Sequence, residues 1–152
     1  MAAAVEENAL HSHWLPDSDR TPGITNPAIT QANVGSTICV SGWTKKIRPP
    51  ASYTNKIKRR EMSELHLSGS MKLYELDHLI SLEIGGNPTD PKNLWPEPWN
   101  GTWGAHKKDR LENELKKLVC NRTITLREAQ TAIASNWIAA YKRYVLGSSN
   151  ES

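Results

Sequence analysis

Two apolar stripes at helical spacing, close together in the last third of the chain, constrain its fold most. Leu111, Leu115, Leu118 and Val119 recur at i, i+4, i+7 and i+8, and Ala129, Ile133, Trp137 and Tyr141 follow at steps of four. Residues three and four apart share one side of an α-helix, so each pattern predicts a helix with a buried face. The first helix is expected over 105–120. The second is expected over 125–144, opened by Thr125 and Glu128 at capping-box spacing. A chain of 152 residues fits one domain around a single core.

Upstream the signals are more broken. Residues 1–20 lack sustained periodicity and end in turn formers, so they read as a flexible arm ahead of a domain over 21–152. His11 and His13 lie in that arm, where paired histidines are more often incidental than metal-binding. Pro, Gly and Asn dominate the next stretch, which should wrap the surface. The β-branched run over 36–43, between Gly35 and Gly42, predicts a short strand. Pro49 and Pro50 forbid helix at that point, and a helix is expected from Thr54 onward, with Ile57, Glu61 and Leu65 at helical intervals. Residues 71–86 read as a hairpin whose second strand ends at Gly85 and Gly86. Residues 93–104 read as a connection, because Pro96 and Pro98 break any helix through Trp95, Trp99 and Trp103. Those indoles are expected to pack in core and loops.

Charge narrows the function classes. The formal net charge is +3, and Lys45, Lys46, Arg48, Lys56, Lys58, Arg59 and Arg60 crowd a short stretch. Clustered cations of this density suit contact with a phosphate backbone, although they do not distinguish DNA from RNA. No apolar run approaches the ~18 residues that span a bilayer, so no membrane role is expected. The opening MAAAVEENAL lacks the build of a secretory leader and reads as cytoplasmic, and a mature secreted form would look the same. Cys39 and Cys120 are too few for a four-cysteine zinc site. Two buried thiols and one disulfide both remain open.

The chemistry is carried by 70–112. Asp77 and His78 stand together, Gly85 and Gly86 follow, then Asn93 and Leu94, then His106 at the start of the predicted helix. Asn93 lies fifteen positions after His78. Together these elements resemble the HNH, or ββα-metal, nucleases. The resemblance implies an α+β fold with a ββα-metal core over about 70–119, joined by an N-terminal basic helix and a C-terminal helix. It further implies His78 as the general base for water, Asp77 and His106 as metal ligands, and Asn93 as the residue that holds the catalytic loop and orients the base.

A histidine with an ordinary pKa near ~6.5 can accept a proton at neutral pH. On the predicted helix, His106 lies opposite the leucine stripe, with Asp109, Arg110 and Asn113 nearby. His106 lies thirteen positions after Asn93, longer than that family's usual gap, and the cysteines that often flank its last histidine are absent. Asp109 is therefore the reserve ligand and Glu112 a weaker third. One carboxylate and one imidazole with several waters suit Mg²⁺ or Mn²⁺, while Zn²⁺ or Ni²⁺ would also accept the imidazole. Lys107, Lys108 and Arg110 would contact phosphate. The expected reaction is endonucleolytic hydrolysis of DNA, leaving by family analogy a 5′-phosphate and a 3′-hydroxyl. The alternatives are a binding module that has lost turnover, and an RNase-type toxin accompanied by an inhibitor protein.

Overall fold

Proline sets the first boundaries. In the computed structural model, which describes residues 14–67 and 69–147, helix α1 (Trp43–Ile47) stops where Arg48 turns extended ahead of Pro49 and Pro50. A residue before proline is pushed out of the helical region, and proline itself lacks the N–H that a helix interior needs. Pro50 then caps helix α2 (Ala51–Glu64), which buries Ile57, Glu61 and Met62. This helix starts three residues before the expected Thr54.

The strand expected over 36–43 is not formed. A 3₁₀ turn (Gln31–Ser36) is held by a reciprocal Thr30–Asn33 capping box, and turns lead from it into α1. Val34 and Ile38 are fully buried, and Cys39 is disulfide-bonded to Cys120 at the end of the leucine-striped helix. β-branched residues favour a strand only where another strand offers an edge, and the one sheet of the described residues lies elsewhere.

That sheet is an antiparallel pair, β1 (Tyr74–His78) and β2 (Leu94–Pro98), in the register Tyr74↔Pro98, Glu75↔Glu97, Leu76↔Pro96, Asp77↔Trp95 and His78↔Leu94. The second strand is thus not the segment ending at Gly85–Gly86, which belongs to the connection, but the one read as a linker. The prolines that obscured it are accommodated by register. Leu79 N–H donates to the Asn93 carbonyl and Trp99 N–H to the Leu73 carbonyl. The ladder's hydrogen bonds therefore fall on the odd-numbered pairs of β1, and Pro96 and Pro98 turn their ring nitrogens away from the partner strand. Within the connection a 3₁₀ turn (Leu82–Ile84) ends at Gly85 with φ 83°. At Gly86 a Cβ would lie 1.6 Å from the Ile80 carbonyl oxygen, so no side chain fits there.

Helix α3 (Ala105–Cys120) matches its prediction, with Leu111, Leu115 and Val119 fully buried. Helix α4 (Leu126–Tyr141) opens with the expected Thr125–Glu128 capping box. It breaks once, at Asn136 (φ −167°, ψ 98°), whose side chain accepts from Ala139 N–H and restarts the helix. Its final segment, Lys142–Leu146, is π-helical. Trp137 at the centre of the core donates its indole N–H to the Trp14 carbonyl at 2.7 Å. Residues 14–20 are thus no free arm: Trp14 is buried and Arg20 pairs with Glu64. His11 and His13 lie outside the described residues. The architecture is mixed α and β, and among the described residues no helix is long and apolar enough to cross a membrane.

Candidate active site

Alternation along the hairpin builds one face of acids. Glu75 and Asp77, two apart on β1, share a side of the sheet, and the register sets Glu97 directly across from Glu75. Carboxylate oxygens of Glu75, Asp77 and Glu97 all lie within 4.8 Å of one another. Helix α3 lies against this face. Its Lys108, wholly buried, reaches Asp77 at 2.7 Å, Glu112 at 2.6 Å and the His78 carbonyl at 2.9 Å. Burial alone would pull the Lys108 ammonium down, but Asp77, Glu112 and Glu97 outweigh it and keep the group charged.

One ammonium does not neutralise this many acids. Both Glu97 oxygens and Glu75 Oε2 are buried without a hydrogen-bond partner. Burial, reinforced by Asp77, holds the Glu97 carboxyl well above the usual range, and burial with Asp77 and Asp109 pushes Glu75 up to about 7. Asp109 is raised as well, first by burial and then by Asp77. Unpartnered buried oxygens at this spacing fit a hard divalent cation, which takes carboxylate oxygens by preference.

His78 sits at the end of β1, buried beside Asp77. Its Nε2 lies 2.9 Å from the Pro88 carbonyl. A carbonyl only accepts, so Nε2 carries the proton and Nδ1 of the neutral ring is the acceptor. Burial draws the imidazole below its ordinary value, against the opposing pull of the Pro88 hydrogen bond and Asp77. Asn93, fully buried, fixes this arrangement. Its Oδ1 accepts from Ile80 N–H at 2.9 Å and Ile24 N–H at 3.3 Å, and its Nδ2 donates to the carbonyls of Ile80 and Asn87. It thereby locks the connection that carries the Pro88 carbonyl to His78, as a loop-holding asparagine would.

Other expectations are corrected. His106 falls outside the donor cluster that contains Asp77. Among the described residues the only trio of metal-type donors within 4.8 Å is Glu75, Asp77 and Glu97. Residues two apart on a helix point about 200° from each other, so once Lys108 faces Asp77, His106 faces away. It is exposed and packs on Trp99 with ring centroids 5.9 Å apart. Asp109 is also exposed and stands outside the trio. Lys108 is buried in the ion network and cannot touch nucleic acid. Lys107 lies over the Trp103 ring at 4.5 Å.

Lys45, Lys46, Arg48, Lys56, Arg59, Arg60 and Arg110 are exposed, and Lys58 is half-buried. Arg48 stands out among them, because its charge acts on Glu75, His78, Glu83 and Asp109 together. Trp95 is buried, and Trp99 and Trp103 are half-buried, as packing residues should be.

Glu75 and Glu97 were missed. The alternation in Tyr74–His78 carried a signal for Glu75, whereas Glu97 was hidden by the misplaced second strand. No family model, no curated protein and no solved structure matches the chain.

Proposed function

We propose that the chain is a metal-dependent endonuclease of the HNH type that hydrolyses nucleic-acid phosphodiesters, DNA being the substrate implied by the resemblance. The observation that carries this reading is the state of His78, a buried imidazole pinned through Nε2 and neighboured by a carboxylate face. A strand, a fifteen-residue connection, a second strand and a helix follow one another, in the order a ββα core requires. Asp77 and its neighbouring carboxylates would hold the cation. When bound, the ion would stabilise negative charge developing on the phosphate oxygens.

The chain's own groups supply the rest. His78 stays neutral near pH 7, and its Nδ1 takes the proton of the attacking water. The Pro88 hydrogen bond fixes the ring against rotation. Asn93 keeps that carbonyl in place without touching substrate. Arg48, the exposed cation whose field reaches both His78 and the acids, binds the phosphate being cut. The exposed lysines and arginines of α1 and α2 hold flanking phosphates.

Plasmid nicking with and without EDTA tests the proposal. His78→Ala is expected to cut more slowly than wild type by roughly 10²–10⁴-fold, the span of general-base catalysis. Equal cleavage by that variant would remove His78 from the chemistry.

One observation favours a second reading. Lys108 already engages Asp77, as in a scaffold that binds nucleic acid without turnover. That scaffold would bind DNA in a salt-sensitive way and cut under no divalent metal. The Cys39–Cys120 bond favours an oxidising compartment.

A further inference from the structure

We infer that Glu75, Asp77 and Glu97 form the binding site for one oxygen-preferring divalent cation (Mg²⁺, Mn²⁺ or Ca²⁺), and that His106 takes no part in it. The inference rests on the nuclease reading only for what the ion is used for, not for its being bound.

The sheet register supplies the first reason. Glu75 and Glu97 are directly opposed across the hairpin, and Asp77 adds a third acid on the same face. Like charges opposite one another work against strand pairing, so a hairpin that keeps three of them has something else between them. Lys108 is not enough. Lys108 donates to Glu112 and the His78 carbonyl and stands as an ion pair 2.7 Å from Asp77 Oδ2, an oxygen that itself has no hydrogen-bond partner. Neither Glu97 oxygen nor Glu75 Oε2 receives a hydrogen bond from Lys108.

The second reason is Glu97 itself. Its side chain is fully buried and both carboxylate oxygens lack any partner. A buried carboxylate without a partner is offset either by a proton or by a cation, and a cation does so for all three carboxylates at once. The spacing agrees. Oxygens bound to one such cation at roughly 2.0–2.6 Å lie no more than about 5 Å apart, and the three carboxylates come within 4.8 Å of one another.

The donor set then selects the metal. Three carboxylates with no imidazole or thiolate suit Mg²⁺, Mn²⁺ or Ca²⁺ and give Zn²⁺ and Ni²⁺ no softer ligand. Lys108 holds Asp77 and Glu112 from the helix side, which fixes the orientation of one ligand.

The test is Mn²⁺ binding by the full chain, read from the electron paramagnetic resonance signal of free Mn²⁺, for wild type, Glu97→Gln and His106→Ala. Wild type is expected to take up one Mn²⁺, displaced by Mg²⁺ or Ca²⁺. Glu97→Gln should bind roughly tenfold or more weakly, and His106→Ala should bind like wild type. Far-UV circular dichroism confirms that each variant is folded, and Glu75→Gln carries the same expectation should Glu97→Gln not fold. A wild type without a saturable Mn²⁺ site, or loss of binding in His106→Ala with retention in Glu97→Gln, overturns the inference. Mn²⁺ bound as described, alongside a His78→Ala variant that cuts as well as wild type, would leave the site standing and remove the nuclease reading.

Discussion

Glu61 shows how far a single carboxyl can be carried from water. Helix α2 turns it inward to 4% exposure, with one oxygen unpartnered. Burial pushes its pKa up to about 7, against the pull of Arg20 and Arg60. A carboxyl raised in the folded state binds a proton that the unfolded chain has already lost. Its contribution to stability is therefore full below about 4.5 and is lost as pH rises through about 7. Replacing it by Gln removes that loss. Melting curves of wild type and Glu61→Gln should therefore diverge between those two values, with the variant more stable at pH 8. Parallel curves across the range would mean that Glu61 ionises in the fold as it does in water. Asn93 gives the contrasting lesson. Its place between loop and core was visible from the apolar Leu94 and Trp95 beside it. Its four hydrogen bonds were not, because their partners are backbone groups of residues 24, 80 and 87.

Helix α2 is the element through which nucleic acid would be held. Lys56 and Arg59 are exposed and, unlike Arg60, form no salt bridge among the described residues. Removing both to Ala should weaken binding to all sequences alike. The slope of log affinity against log salt should become shallower by about one unit per lost contact, as read by fluorescence anisotropy over a NaCl series. An unchanged slope would take the helix out of the interface. Elements with a strong period are legible in the sequence: Leu111, Leu115, Ile133 and Trp137 alone mark out α3 and α4. The hairpin was half legible. Tyr74–His78 announced itself, but Pro96 and Pro98 disguised its partner, since nothing local says that both ring nitrogens will face outward. The false strand over 36–43 had the composition of a strand and no edge to join. The candidate site inherits that division, with Asp77, His78 and Asn93 visible and Glu97 not.

At the scale of the whole molecule, the disulfide ties the segment after the 3₁₀ turn to the far end of α3. It joins residues 81 apart in sequence, and closing a loop of that length in the unfolded chain is worth about 4 kcal/mol in the chain-entropy account. Urea denaturation with and without reductant should show a loss of that order, with Cys39→Ser/Cys120→Ser matching the reduced protein. Equal midpoints would mean that packing of Val34, Ile38 and Val119 suffices without the bond. The outer margin of β2 has a different consequence for the protein in solution. Leu94 gives its N–H to the Pro91 carbonyl, its own carbonyl receives the Thr21 hydroxyl, and Pro96 and Pro98 have no N–H to give. A neighbouring copy finds no donor along that margin on which to lay a strand. The ribbon is finished at two strands, and templated aggregation from that side is closed off by the same prolines that made the strand hard to see.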